Sequence, residues 1–405
     1  MNEKAKIIII GNGAAGYNAS KAIREKDKDC AVTLISKEEV RSYYRPKLST
    51  LIGKEIPENR FYITSEQWYE ENGIQQLLGT EVVEIKPEDK RLVLESGEEL
   101  AYDKLILANG SYNFILPIKI SDTTLSRDNY KKFNGIYSIK DLKDALEVKA
   151  HMEKSKHAVV IGGGLLGLEA AWEMKEMGLK VSVVEFFPRL LPKQLDVEGG
   201  RLLESIVSEG GIDIFLGDCA EELLIENNSI KSIKLQSGKV LNCDLLLFSV
   251  GIRSNIDLPK KAGIQVNKGI LVNNKMETNI PGIYACGDSV EHNGIIYGNW
   301  AAAMDMGRIA GSNASGASEE FVGFVPSLMF NSMGTKVFSS GNINFEDPFL
   351  EQLSYKDDKN YRKLFFLNNK LQGGILIGNI ALTGKITAGV KKGISKEEAL
   401  ESGMV

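Results

Sequence analysis

The chain has 405 residues, 43% apolar and 25% charged, and its 49 basic and 54 acidic side chains leave a net charge of −5. That length predicts two or three domains rather than one core, and the near-neutral balance leaves no basic footprint for nucleic acid. No stretch reaches the roughly 18 uninterrupted apolar residues of a membrane helix, and Asn2-Glu3-Lys4 leads into the first strand without room for a signal peptide, so a cytoplasmic protein is expected.

In chain order, residues 7–10 are an apolar run that closes on Gly11-Asn12-Gly13-Ala14-Ala15-Gly16. Such a run reads as a buried parallel strand turning into a helix, where glycine backbone and helix N-terminus together receive a pyrophosphate. Small or apolar residues at Ala15, Ala19 and Ile23 mark the helix, and 31–35 mark the next strand of a βαβ unit. Residues 81–85 and 91–94, split by Lys86-Pro87-Glu88-Asp89, read as a hairpin-like excursion, and 105–108 as a short strand ending in Asn109-Gly110. The mixed stretch 112–133 is expected to cross between domains, and 138–154 to be helical. The device then repeats: residues 158–161 close on Gly162-Gly163-Gly164-Leu165-Leu166-Gly167, a helix runs through Met177, and a strand follows at 181–184. A second excursion covers 221–240, and the stretches 245–250 and 282–285 repeat the strand that ends in glycine. From about Glu319 the texture changes to short alternating strands, such as 363–367 and 374–377, and then to helices.

One glycine device suggests one dinucleotide; two suggest two. The expected fold is α/β, with two Rossmann-like dinucleotide-binding domains on parallel sheets, the second inserted in the first, plus a small α+β C-terminal domain. The expected boundaries are 1–112 with 240–316 for the first, 113–239 for the second and 319–405 for the third.

An acidic residue about 20 positions after the first glycine binds the adenosine ribose. Glu185, 23 residues after Gly162, ends the strand at 181–184. A carboxylate there accepts both ribose hydroxyls and repels a 2′-phosphate, and Phe186-Phe187 supply no cation, so NAD(H) rather than NADP(H) is expected. The other reading of Glu185 is a solvated strand end. In the first copy the acid arrives late, in Ser36-Lys37-Glu38, so Ser36 and Glu38 share the ribose. The run from Thr278 to Gly287-Asp288 ends a strand in a carboxylate. Asp288 there suits the hydroxyl-rich ribityl chain of FAD, which NAD lacks; the other reading is a helix cap.

Cys30, Cys219, Cys243 and Cys286 make no C-x-x-C pair, and His151, His157 and His292 are scattered. Neither a dithiol centre nor a metal site is therefore written locally. Cys286 is read as a small hydrophobe.

These pieces, joined by Tyr102-Asp103-Lys104-Leu105-Ile106-Leu107-Ala108-Asn109-Gly110-Ser111 and Ser249-Val250-Gly251-Ile252-Arg253-Ser254-Asn255, resemble the two-dinucleotide-domain flavoproteins of the pyridine nucleotide–disulfide oxidoreductase superfamily. Disulfide reductases carry a redox cysteine after the first ribose strand. Here Ser42-Tyr43-Tyr44-Arg45-Pro46-Lys47-Leu48-Ser49 has none, and it is similar to NADH:rubredoxin reductases, ferredoxin reductases of oxygenase systems, apoptosis-inducing factor and the flavin portion of NADH-dependent nitrite reductases. The stretch from Val184 to Asp196 and the tail around Gly373-Gly374 are similar to the rubredoxin- and nitrite-reductase groups.

The resemblance implies FAD on Gly11, Gly13, Ala14, Ala15, Gly16, Ala108, Asn109, Gly110, Gly287 and Asp288. It places Arg45 near the FAD pyrophosphate, Val82 against adenine, and Asn299 and Trp300 against the flavin. It implies NAD(H) on Gly162, Gly164, Leu165, Leu166, Gly167, Glu185 and Gly251, with Glu169 beside the nicotinamide as a catalytic residue. Several relatives pair that glutamate with a lysine where this chain has Thr50. Lys47, one helical turn earlier, is expected to substitute, its other reading being a solvated helix surface. Asn109 stands where relatives have threonine, and Met329 where oxygenase-type relatives have tryptophan, which argues against an oxygenase partner.

Hydride transfer needs nicotinamide C4 at roughly 3–3.5 Å from flavin N5 with water excluded. With no second redox group in the chain, NADH is expected to reduce FAD, which passes electrons, reversibly in principle, to a one-electron iron protein of the rubredoxin or ferredoxin-like iron–sulfur type. The alternatives are an NADH oxidase using O2 or peroxide and a non-catalytic redox-sensing or assembly flavoprotein. Neither nucleic acid nor membrane is an expected partner, and a homo-oligomer is allowed.

Overall fold

A computed structural model describes residues 4–404 and divides the chain into two compact units; Asn2 and Glu3 lie outside the described residues. The first unit holds the residues up to Leu48, Glu55–Asn113 and Gly251–Phe324. Its centre is a parallel sheet in the order Ile283–Ala285, Lys104–Leu107, Lys6–Ile10, Ala31–Ile35, Ile74–Leu77. Ile7, Ile8, Ile9 and Ile10 are all buried, so this strand shows no in–out alternation, as a parallel strand covered on both faces requires. Helices Ala14–Lys26 and Trp300–Ala314 pack backbone to backbone. A Cβ on Gly307 would fall 2.1 Å from the Ala15 carbonyl oxygen, and one on Gly311 would fall 2.3 Å from that of Ala19. The hairpin-like excursion is a three-stranded antiparallel sheet, Val82–Lys86, Arg91–Leu94 and Glu99–Ala101.

The second unit holds Ser49–Lys54, Phe114–Val250 and the chain from Val325. It repeats the design in a parallel sheet ordered Ile136–Ser138, Leu245–Phe248, His157–Ile161, Lys180–Glu185, Ile212–Leu216. This order corrects the boundary expected at 239/240. Strand Leu245–Phe248 pairs with His157–Ile161 in register Val159↔Leu246, so it closes the second nucleotide sheet rather than opening the return to the first. A strand flanked by an excursion on one side and a glycine turn on the other carries no local mark of which sheet it joins. The stretch 112–133 likewise does more than cross. Its strands Lys119–Ile120 and Thr123–Thr124 extend the antiparallel sheet of Ala220–Glu226, Ser229–Leu235 and Val240–Asn242. The region expected to be helical from 138 begins as strand Ile136–Ser138, and its helix starts at Leu142, where the Asp141 carboxylate accepts the Asp144 amide.

The C-terminal residues form a five-stranded antiparallel sheet in the order Ser327–Ser332, Thr335–Gly341, Lys370–Ile377, Tyr361–Leu367, Glu351–Lys356, covered by helix Thr383–Lys392. A buried polar junction joins it to helix Val197–Glu209. Asp196, 2% exposed, caps that helix by accepting the Gly199 amide at 3.0 Å, and its other oxygen accepts the Tyr361 hydroxyl and the Lys363 ammonium, both at 2.6 Å. No helix among the described residues is long and apolar enough to cross a membrane.

Removing one partner of a buried ion pair strands the other charge. Lys363→Met is expected to lower stability by about 3 kcal/mol, read as a fall in the urea midpoint at constant denaturant slope. An unmoved midpoint would show that Tyr361 and the helix end suffice to hold Asp196.

Candidate functional site

The first glycine loop leaves strand Lys6–Ile10 with Gly11 at φ +115°, where a Cβ would lie 2.1 Å from the Ala108 carbonyl oxygen. Only glycine permits both the angle and the approach. Asn12 then pins the loop. Its amide donates to the Val40 carbonyl at 3.2 Å, and its oxygen accepts the buried Ser42 hydroxyl, which itself accepts the Tyr69 hydroxyl at 2.8 Å. Helix Ala14–Lys26 begins at Gly13 with no side-chain cap and no acid in its first turn, so its amides remain a positive end suited to an anion. The Arg45 guanidinium lies beside it, with Nε 3.8 Å from the Cβ position of Gly13.

Ser36 and Glu38, read together in the sequence, lie with Arg45, which was read apart from them. The Glu38 amide donates to Ser36 Oγ at 3.1 Å, and the Glu38 carboxylate accepts the Tyr43 hydroxyl at 2.5 Å and pairs with the Arg45 guanidinium. Ala108, Asn109 and Gly110 follow strand Lys104–Leu107, and Asn109 forms a reciprocal amide pair. Its nitrogen donates to the Asn255 carbonyl at 2.8 Å, and the Asn255 amide donates to the Asn109 carbonyl at 2.7 Å. The side-chain oxygen of Asn109 is buried with no partner, an acceptor left for a ligand donor. Asp288 accepts the Ser111 hydroxyl at 3.1 Å rather than capping a helix, and its carbonyl accepts the Ser254 hydroxyl at 2.7 Å. An uncapped helix end with an adjacent guanidinium, an orphaned acceptor and a carboxylate at a strand end fit FAD. Val82 is buried at the start of its strand. Asn299 caps helix Trp300–Ala314, accepting the Ala301 amide at 2.9 Å, and Trp300 packs on Tyr44 with ring centroids 5.8 Å apart.

The second loop repeats the first. Gly162 has φ +111°, and its Cβ would lie 2.3 Å from the Ser249 carbonyl oxygen. Helix Leu165–Glu176 also starts without a side-chain cap or an early acid, and space around Gly164 is open. Gly167 sits in its first turn against Gly162, and Leu166 is exposed. Glu185 is no solvated strand end. It is 7% exposed and accepts the Gly163 amide at 2.7 Å and the Phe187 amide at 2.8 Å. Gly251 has φ +94° with nothing near its Cβ position.

Glu169, half-buried on the same helix, accepts the Ser49 hydroxyl at 2.7 Å. Burial pushes its carboxyl above the usual range, the Glu173 charge adds to that, and the Ser49 bond opposes it. The Lys47 ammonium, expected to partner Glu169, donates to the Arg60 carbonyl and lies 4.7 Å from the Tyr44 ring centroid. Cys286 is fully buried, and burial pushes its thiol up to about 12, which keeps it protonated. Among the described residues, no cluster of three or more His, Cys, Asp or Glu could hold a metal.

The sequence profile described as pyridine nucleotide-disulphide oxidoreductase matches residues 5–307. The chain belongs to that family. Residues 326–394 match the rubredoxin NAD+ reductase C-terminal domain. The NADH-rubredoxin oxidoreductase of Clostridium acetobutylicum is 31% identical over 99% of this chain and 97% of its own length. The crystal structure of the NADH:rubredoxin oxidoreductase from that organism superposes with a TM-score of 0.80 at 30% identity, covering 97% of this chain and 96% of that one. The nitrite reductase [NAD(P)H] of Bacillus subtilis is 33% identical over 96% of this chain, which spans about half (47%) of that protein's length. The family binds FAD and NAD(P)H generally.

Sequence reasoning gave no role to Ser49, Lys54 and Glu173 in the second unit, or to Tyr69 and Asn255 in the first. Each meets its partner across a long loop of chain, and only Ser49 and Asn255 lay within quoted stretches. The burial pattern also gives a chemical prediction. Iodoacetamide at pH 8 should label Cys219 in the native protein and spare Cys243 and Cys286 until denaturant is added. Labelling of native Cys286, read by peptide mass, would contradict its burial.

Proposed function

We propose that the chain is an FAD-dependent NADH oxidoreductase that passes electrons to a one-electron iron protein of the rubredoxin or ferredoxin type. The observation that carries this reading is the pair of uncapped glycine-loop helices, with Asn109 and Asp288 beside the first and no reactive thiol near it among the described residues. FAD, when bound, couples a two-electron hydride donor to carriers that take one electron at a time. The chain's own residues bind and orient. Gly11, Gly13, Ala14, Ala15, Gly16 and Arg45 hold the FAD pyrophosphate, and Ser36, Glu38 and Val82 serve its adenosine. Asp288 holds the ribityl hydroxyls, and Asn109 offers its free oxygen to a ring N–H. Asn299 and Trp300 border the flavin. Gly162, Gly164, Leu165, Leu166, Gly167 and Gly251 receive the dinucleotide donor, Glu185 takes its ribose, and Glu169 orients the nicotinamide end.

Glu185 supports NADH over NADPH, because a buried carboxylate already anchored by two amides cannot swing away from a 2′-phosphate. The domain assignment 1–112 with the later return, then the inserted nucleotide domain, then the C-terminal domain from about 319, remains part of this proposal, with strand Leu245–Phe248 moved into the inserted domain.

Anaerobic stopped-flow decides the function. NADH should bleach the flavin within milliseconds to seconds, and the reduced protein should then reduce rubredoxin or a ferredoxin-like protein. Bleaching that takes minutes would favour a sensor, and fast water-forming turnover with O2 would favour an oxidase. Glu185→Gln should weaken NADH binding about tenfold and narrow the preference against NADPH, whereas Asp288→Ala should release FAD on gel filtration.

A further inference from the structure

Helix Leu165–Glu176 carries two carboxylates one turn apart, Glu169 and Glu173, and the segment Ser49–Lys54 of the same compact unit holds both. Ser49, 4% exposed, donates its hydroxyl to Glu169 Oε2 at 2.7 Å, and the Lys54 ammonium meets Glu173 Oε1 at 2.7 Å. Gly53 lies so close between these contacts that an added Cβ would fall 2.8 Å from the Cβ of Glu173. Residues i and i+4 share one helix face, so the two grips act side by side. They are unequal: buried Glu173 receives a cation, whereas Glu169 receives a neutral hydroxyl.

We propose that Ser49 and Lys54 are positioning residues for Glu169, Ser49 by fixing its carboxyl directly and Lys54 by neutralising Glu173 one turn away. The inference rests on the reading of Glu169 as the group that orients the nicotinamide. Its physical basis is that like charges at i and i+4 repel, and more strongly where water is scarce. The strands packed on this helix are His157–Ile161, Lys180–Glu185, Ile212–Leu216 and Ser327–Ser332. Their ionisable groups are engaged elsewhere or face water. His157 sits 3.4 Å from Asp244, Glu185 accepts two amides, and Lys180 and Asp213 are exposed; Ser327–Ser332 carries no titratable group. The charge felt by Glu169 is therefore governed by Glu173 and, through it, by Lys54. Lys54 also answers for the cation that relatives place at Thr50. The cation here has moved one turn along its segment, and its carboxylate partner has moved one turn along the helix.

The test is an infrared titration of isotope-labelled glutamate carboxyls in the full-length, flavin-loaded protein, with the band assigned by its loss in Glu169→Gln. In Lys54→Met the Glu169–Glu173 pair should take up its first proton about one pH unit higher than in the parent, because Glu173 then stands uncompensated beside Glu169. Ser49→Ala should shift the titration in the same direction, since the lost hydroxyl favoured the charged form. Lys54→Arg, which keeps the charge, should restore the parent midpoint. In parallel, the limiting rate of flavin bleaching by NADH should fall about tenfold in Ser49→Ala and Lys54→Met, while the NADH dissociation constant stays within about twofold. An unmoved midpoint in Lys54→Met overturns the inference, as does a shifted midpoint with an unchanged bleaching rate. If NADH bleaches neither parent nor variants, it is the functional reading that fails, and the titration still decides separately whether Ser49–Lys54 governs the Glu169 carboxyl.

Discussion

Each nucleotide fold is organised around one backbone contact. Where Gly11 and Gly162 leave their strands, the space a Cβ would need is taken by the carbonyl oxygen of the neighbouring strand's last turn, that of Ala108 or Ser249. Gly16 and Gly167 then close on the carbonyl of the first glycine, at 1.8 and 2.1 Å from a Cβ position. Strand end, neighbouring strand end and helix start therefore converge without a side chain between them. A substituent at either first glycine would have to move backbone on two elements, and its φ would be strained as well. The convergence leaves the helix amides bare at a point where carboxylates and amides from the adjacent strands also end, the crevice in which open α/β sheets bind ligands.

The two carboxylates that would meet the riboses under the proposed function show two ways of holding an acid in place. Glu185 is tied to its own loop, with one oxygen on the Gly163 amide and the other on that of Phe187. A carboxylate has about four lone-pair sites, so this anchoring leaves acceptor capacity while removing rotamer freedom. Glu38 lies farther along its chain and is held from outside, by the Tyr43 hydroxyl and the Arg45 guanidinium. The late arrival of this acid in the sequence has a structural counterpart. A side chain too far along to touch the glycine loop needs other residues to orient it, and Tyr43 and Arg45 lie in the next segment. An acid held by a guanidinium is also a weaker repeller of added phosphate than one held by neutral amides. The stronger argument for selectivity between the two nucleotides therefore belongs to Glu185.

What was legible in the sequence was what is local. Apolar runs that end in glycine were readable because parallel strands are buried on both faces and the turn demands glycine. The strand-end motif extended that reading to Asp288, and the family resemblance extended it to Asn109 and Glu169. What was not legible was pairing at long range. Leu245–Phe248 looks like any short buried strand, and only its ladder to His157–Ile161 assigns it. The polar stretch 112–133 hides two strands of two residues each at one end of a sheet, too short for a periodic signal. Lys47 was a reasonable substitute on helical spacing alone. The segment from Arg45 is a short 3-10 turn followed by a four-residue helix, however, so a 3.6-residue period does not carry across it.

The absence of a thiol relay is written into the packing as well as the sequence. Ser42, in the segment where disulfide-reducing relatives keep a redox cysteine, is 0% exposed and uses its hydroxyl in both directions, accepting from Tyr69 and donating to Asn12. A thiol there would be a weaker donor and acceptor with a larger atom, and it would loosen the tie that holds Asn12 of the first glycine loop. Cys286, the cysteine next to Gly287 and Asp288, is sealed in the core with its thiol pushed up to about 12, so it forms no thiolate at neutral pH. Ser42 in that segment is thus a structural hydroxyl, and the cysteine beside the strand-end carboxylate is a core residue. Under the proposed function this division is coherent: a protein that hands single electrons to an external carrier gains nothing from a two-electron thiol stop. The Ser42 hydroxyl steadies the loop on which the flavin nucleotide would rest.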